Sequence, residues 1–231
     1  MANNLKQVPS WSFSSLTKYE TCNHWAWHTF INRSPKLPYQ ENRGTALHSK
    51  IEGFFLSIDD LPQEIHPASA AKIASIREHF CRGPTWNIEE PWGYDRNWEP
   101  TEYKTAWHKA KLDLYIRSED VPTVYIHDWK SGKREGNEIK HVMQGQLYAI
   151  DAVRRFPDTK NVTATFHYID EGTAKENNYP RAIIESWIPK WRARAEKMTN
   201  ALIFPAKPSK SNCKFCDFGP NGSAACEYGT D

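Results

Sequence analysis

No stretch of the 231-residue sequence approaches the roughly 18 to 20 consecutive apolar residues of a membrane-spanning helix. The opening MANNLKQVPSWSF also lacks the apolar stretch of a secretory signal. A cytoplasmic location with no membrane partner is therefore expected. Net charge is nearly absent, since 30 Lys and Arg against 28 Asp and Glu leave +2, and the whole-molecule field does not mark a polyanion partner. Locally the picture differs. Between Lys190 and Lys214 seven basic residues meet one acidic one, a stripe that either faces phosphates or forms a solvated helix face. Repeats, low-complexity tracts and flexible linkers are missing too. Residues 1–231 therefore read as a single domain, with a helical part to about 97, sheet and helices over about 98–205, and a cysteine-bearing tail.

Cysteine is scarce, at five residues. With no export signal and a reducing cytosol these thiols are not expected to form a disulfide framework, which leaves metal or redox chemistry. Cys213 and Cys216 form a Cys-x-x-Cys pair, Cys226 follows near the end, and Cys22 stands in the first helical stretch. Such a pair alone is half of a zinc site or a redox couple. Cys81 has no place in the pattern and reads as a buried or idle thiol.

What the chain does have is a change of periodicity. SFSSLTKYETCNHWAWHTFIN, with Leu16, Tyr19, Trp27 and Phe30 at roughly the helical period, RGTALHSKIEGFF, and the segment from Ala68 to Phe80 all predict helices. From Trp98 to Lys130 the texture is β, with KAKLDLYI and TVYIHDWK flanking a polar turn, which predicts a hairpin. HVMQGQLYAIDAVRRF then reads as a helix, NVTATFHYID as a strand, and ESWIPKWRARAEKMTNALIF as a helix buried through Ile188, Trp191, Ala195, Met198 and Leu202. The mix predicts an α/β fold with helices packed on a central sheet.

The second strand of the hairpin ends in opposite charges, Asp128 and Lys130, which share one face by strand alternation. If the hairpin closes symmetrically, Asp113 lies across from Asp128. Two facing carboxylates are destabilising unless a cation lies between them. The alternative register sends one aspartate to solvent. On the following helix Gln144 and Tyr148, four apart, share a face, and on the earlier helix His48 and Glu52 do the same. His48 can complete a metal site beside the carboxylates, with Glu52 orienting its ring.

The order SSLTKYETC, GTALH, KLDLY, HDWKSGK and QGQLY resembles the RecB-like branch of the PD-(D/E)XK nuclease superfamily over nearly the whole chain. Gly44 and His48 match its helix motif, Asp113 its first acid, Asp128 and Lys130 its acid-x-lysine, and Gln144 and Tyr148 its final pair. Asp128 replaces the glutamate of many relatives. The resemblance implies a restriction-endonuclease-like core, a central mixed sheet flanked by helices, with the terminal helical segments joined by a cysteine metal site. It implies one or two Mg2+ or Mn2+ ions held by His48, Asp113, Asp128 and the backbone carbonyl of Trp129. Lys130 would help deprotonate the attacking water or steady the phosphate, and Gln144 and Tyr148 would position substrate or nucleophile. The iron-sulfur members, including helicase-nuclease subunits and CRISPR-adaptation exonucleases, hold a 4Fe-4S cluster with one N-terminal and three C-terminal cysteines. Cys22, Cys213, Cys216 and Cys226 match that arrangement, although the Cys216-to-Cys226 interval is longer than the family's spacer and leaves structural zinc as an alternative.

The expected activity is metal-dependent DNA hydrolysis, by an exonuclease on DNA ends or single strands. Ten tryptophans offer base-stacking faces, though most belong to a core. A structure-specific endonuclease on the same fold, or a non-catalytic nucleic-acid-binding subunit with an architectural cluster, are the other readings.

Overall fold

The computed structural model describes residues 6–38, 42–80, 85–117 and 121–230, so Cys81 and most of the hairpin turn lie outside the described residues. The chain forms two compact units. The first comprises residues 1–40, 106–109 and 189–231, and the second residues 41–105 and 110–188.

The second unit carries the sheet. Helices α3 (Arg43–Phe55) and α4 (Pro67–Phe80) precede β1 (Trp86–Tyr94), β2 (Pro100–Thr101), β3 (His108–Arg117) and β4 (Thr123–Lys130). Then come α5 (Glu138–Arg155), β5 (Asn161–Tyr168), β6 (Thr173–Pro180) and α6 (Arg181–Thr199), whose last part belongs to the first unit. Strand order is β2-β1-β3-β4-β5-β6. The β3–β4 and β5–β6 pairs are antiparallel and β4–β5 is parallel, so the sheet is mixed. A parallel pair needs a crossover, and α5 is that crossover.

The β3–β4 hairpin closes about the predicted centre, pairing Leu114 with His127 and Ile116 with Tyr125. Side-chain alternation then sends Leu114, Ile116 and Trp129 into one apolar cluster with Leu47, Ile51 and Phe55 of α3 and Ile73 and Ile76 of α4. Asp113 and Asp128 fall in the opposite parity.

Several expectations shift. The β texture begins at Trp86 rather than Trp98, and Trp98 itself has φ 65° outside any strand. The edge strand β6 is so polar, TAKENNYP, that no alternation marks it; most of its residues are exposed. Leu202 is 52% exposed and lies beyond α6, which ends at Thr199. All ten tryptophans are described; Trp11, Trp25, Trp92, Trp98, Trp107, Trp129 and Trp191 are buried and the other three half-buried. None is among the exposed large apolar residues.

The first unit begins with α1 (Phe13–Thr21), capped by the Ser12 side chain, followed by α2 (Asn23–Ala26) and a π-helical turn, Trp27–Ile31. The helical period predicts one continuous helix here, but Cys22 is extended at φ −150° and ψ 111° and breaks it. α7 (Lys210–Lys214), capped by Ser209, opens the cysteine tail. No described helix is long and apolar enough to cross a membrane.

Two histidines meet on the sheet of the second unit, His127 Nδ1 lying 3.0 Å from His167 Nε2. Burial lowers His127 to about 4 and holds His167 well below the ordinary imidazole value. Both are therefore neutral in the fold, while the unfolded chain takes up protons below a pH of about 6.5. The stability their neutral forms contribute is present above that pH and is lost as pH falls, by about 1.4 kcal/mol per pH unit per histidine. In metal-free protein, urea midpoints measured from pH 6.5 down to about 4.5 should fall more steeply for wild type than for the His127→Phe/His167→Phe variant. Equal slopes would contradict this account of the pair.

Candidate active site

Within the second unit, the predicted residues converge where β3 and β4 part. Beyond the Leu114–His127 pair, the Trp129 N–H donates to Asp113 Oδ2 at 2.7 Å. A side chain has thus replaced the backbone acceptor at that step of the ladder. In an extended residue the carbonyl projects to the same strand side as the N–H, so the Trp129 carbonyl faces the β3 side as well, while its indole is buried in the core.

Asp128, 2% exposed, is held from several sides. Tyr148 Oη donates to its Oδ2 at 2.9 Å, Gln144 Nε2 donates to the same oxygen at 3.3 Å, and Gln144 Nε2 also reaches Tyr148 Oη at 2.6 Å. Lys130 Nζ lies 2.6 Å from Asp128 Oδ1 and donates to Gln144 Oε1 at 3.0 Å. Gln144 and Tyr148 reach this far because α5 lies close on the sheet. A Cβ at Gly145 would come within 3.0 Å of Tyr179 Oη and 3.2 Å of Phe166 Cε2, which accounts for the glycine inside QGQLY. Burial first, and then the Asp128 carboxylate, keep the Tyr148 phenol well above its ordinary value, so it acts as a neutral donor.

His48 of α3 completes the group, its Nδ1 3.4 Å from Asp113 Oδ1 and 3.8 Å from Glu89 Oε1. Burial opposes its charge, but hydrogen bonds to Asp113 and Glu89 outweigh burial and raise the imidazole to about 10. Sequence reasoning points to Glu52 as the carboxylate that orients His48; the carboxylates facing its Nδ1 are Asp113 and Glu89. Glu89 was missed. It sits on β1 at φ 53°, a left-handed conformation that costs on the order of 1 kcal/mol for a residue with a Cβ and re-aims the side chain. The only signal is an acidic pair, Glu89 and Glu90, between Trp86 and Trp92. Lys111 pairs with Glu89 Oε2 at 2.5 Å, and His48 and Lys111 together outweigh burial to lower the Glu89 carboxyl.

The donor set fits a hard divalent cation. Three carboxylates and an imidazole converge, ligand atoms of His48, Glu89 and Asp113 lie within 4.8 Å of one another, and buried Asp128 Oδ1 has no hydrogen bond of proper geometry despite its lysine neighbour. Burial and the Asp128 carboxylate push Asp113 up. Without a metal, the proton on His48 and the Lys130 ammonium supply the positive charge that two facing carboxylates need.

All four cysteines of the predicted set come together as well, within the first unit. Cys22, Cys213, Cys216 and Cys226 line one cavity of about 20 Å³. The Lys207 N–H donates to Cys22 Sγ at 3.3 Å. Gly219 is required by the tightness of this loop, because a Cβ there would lie 2.5 Å from the Cys213 carbonyl oxygen. Asp217 ties the loop to the N-terminal helices through Lys18 at 2.8 Å and Trp25 Nε1 at 2.9 Å. Four thiols lining one cavity are of the donor type that an iron-sulfur cluster or zinc takes.

The fold and the acid, acid-x-lysine arrangement define a nuclease core. A profile of the PD-(D/E)XK nuclease superfamily matches residues 10–220, and the chain belongs to that superfamily. Its members act on nucleic acid and typically use divalent metals such as Mg2+. Among solved structures, a Eubacterium rectale protein named "Putative exonuclease" is similar at TM-score 0.51 and 13% identity, over 94% of this chain and 91% of that one. At such identity the likeness shows the fold alone. A second, named SSO0001, aligns at TM-score 0.47 and 15% identity, covering 98% of this chain and 89% of that one. None of the curated proteins matches the chain.

Because ionised Asp113 is held unfavourably beside Asp128, neutralising it should stabilise the metal-free fold. Asn keeps an acceptor for the Trp129 N–H. In EDTA, Asp113→Asn should melt a few degrees above wild type, by roughly the shift that 1 kcal/mol produces, and should lose the upward shift that Mn2+ gives wild type. A variant that melts lower in EDTA, or responds to Mn2+ as wild type does, would count against the pair.

Proposed function

We propose that this protein is a divalent-metal-dependent deoxyribonuclease of the RecB-like branch, acting as an exonuclease on DNA ends or single strands. The observation that carries the reading is the convergence of His48, Asp113, Asp128 and Lys130 with Gln144 and Tyr148, from α3, β3, β4 and α5, at one opening of the sheet. Asp113, Asp128, His48 and the Trp129 carbonyl would hold Mg2+ or Mn2+. When bound, such an ion withdraws electrons from phosphoryl oxygens and lowers the pKa of coordinated water. Tyr148 and Gln144 fix the Asp128 carboxylate in one orientation, so it loses little freedom when a ligand arrives. Lys130, between Asp128 and Gln144, is placed to pair with a phosphate oxygen or to exchange a proton with the attacking water. DNA, rather than nucleic acid in general, and action at ends are the parts of the reading that rest on the motif order and on the name of the Eubacterium rectale neighbour.

The second part of the proposal is that Cys22, Cys213, Cys216 and Cys226 hold a 4Fe-4S cluster acting as a clasp. It links residue 22 to the last part of the chain, and closing so long a loop couples metal binding to folding.

End-labelled single- and double-stranded DNA incubated with protein and Mn2+ tests the first part. Wild type should release short products from an end, and Asp128→Ala and Lys130→Ala should each lose at least about 100-fold in rate while keeping near-wild-type melting. His48→Ala should weaken Mn2+ affinity more than it perturbs folding. Cutting by Asp128→Ala at the wild-type rate would overturn the site, and internal nicking of a closed circle would favour the endonuclease reading.

For the clasp, anaerobically purified protein should be brown and contain iron and acid-labile sulfide. Cys22→Ser and Cys216→Ser should each lose colour and solubility, and Cys81→Ser should keep both. Unchanged stability in Cys22→Ser and Cys216→Ser would remove the clasp.

A further inference from the structure

The cysteine cavity is also lined by His24 and His28, two residues the four-cysteine clasp does not use. His24 Nδ1 lies 2.9 Å from the Phe204 carbonyl oxygen. A carbonyl only accepts, so in the neutral ring Nδ1 carries the proton and Nε2 is a bare lone pair. That Nε2 is buried and has no hydrogen-bond partner. His28 is likewise held through Nδ1, by a hydroxyl that can donate or accept. It is 2% exposed, its Nδ1 is anchored 2.7 Å from Ser34 Oγ, and its Nε2 is buried and unpartnered. An imidazole oriented through one nitrogen with the other left open is how a histidine is presented to a metal.

The ligand atoms of His24, His28, Cys226 and Glu227 all lie within 4.8 Å of one another, and His24 Nε2 is 3.8 Å from Glu227 Oε1. Ligands on one tetrahedral zinc stand about 3.3 to 3.8 Å apart, given its bond lengths, so the set needs only a small closure. Two imidazoles, a thiolate and a carboxylate are zinc's preferred donors, whereas an iron-sulfur cluster is held chiefly by thiolates.

We propose that His24 Nε2, His28 Nε2 and the Cys226 thiolate, with Glu227 as fourth donor, form a mixed zinc site in the cysteine cavity. Cys226 belongs to both this set and the four-cysteine set, so zinc and the cluster are mutually exclusive loadings of one pocket. The inference rests on the clasp reading to that extent, and it adds that the metal supplied decides which residues hold the tail. The zinc loading joins α2 and the π-helical turn to the last residues of the chain; the cluster joins Cys22 to α7.

Metal-stripped protein titrated with Co2+ and with Zn2+ against a chromophoric chelator, in parallel with anaerobic iron and sulfide reconstitution, tests it. His24→Gln and His28→Gln should each lose zinc affinity by about 100-fold or more while taking up the cluster to wild-type absorbance. Cys213→Ser should lose the cluster and keep its zinc affinity. Wild-type zinc affinity in His24→Gln would overturn the proposal, as would loss of zinc in Cys213→Ser as complete as in Cys226→Ser. His28 is buried, so its variant counts only with a wild-type circular dichroism spectrum; half-buried His24 carries the test otherwise. Wild type that takes zinc through His24 but never iron would remove the iron-sulfur reading and uphold this one, and neither result touches the nuclease site.

Discussion

Two carboxylates set opposite each other where β3 and β4 separate are the constraint on which the second unit's chemistry depends. Asp113 and Asp128 are both buried, and neighbouring negative charges in a poorly solvated place repel unless positive charge is brought to them. The fold brings it from two directions. His48 arrives on α3 and Lys130 follows Asp128 on the same strand face, while α5 adds two neutral groups, Gln144 and Tyr148, that donate to Asp128 Oδ2. The close seat of α5 at Gly145 and the left-handed turn at Glu89 both serve this arrangement.

The first unit is arranged differently. Its helices and its tail meet around sulfur, with Cys22 at the break between α1 and α2 and the other three thiols in a tight loop held by Asp217 and shaped by Gly219. That loop is rich in turns and poor in apolar side chains. A metal group there would replace the hydrophobic packing such a segment lacks.

Much of the second unit's site was legible in the sequence because hairpin register follows from turn symmetry and helix faces from the four-residue spacing. The pairing of Leu114 with His127 implies the Asp113–Asp128 juxtaposition, and the Gln144–Tyr148 contact follows from one helical turn. What escaped was whatever local pattern does not encode. Glu89 is reached through a left-handed backbone residue rather than an alternation. β6 is an edge strand with little to bury, and so carries no apolar signature. The break at Cys22 leaves no trace in the helical period of Leu16, Tyr19, Trp27 and Phe30, and Leu202 continues that kind of period past a helix that has already ended. His24 and His28 look like ordinary aromatic neighbours until the carbonyl of Phe204, 180 residues from His24, decides which nitrogen of that ring is bare.

The most direct test of the central claim is to count Mn2+ bound to metal-stripped protein from the loss of the free-ion electron paramagnetic resonance signal. Wild type should bind Mn2+ saturably, with one or two ions per chain, and the Asp113→Asn/Asp128→Asn variant, folded by circular dichroism, should bind none. Failure of the wild type to bind, or equal binding by the double variant, would contradict the claim that these two carboxylates face each other in order to hold a cation.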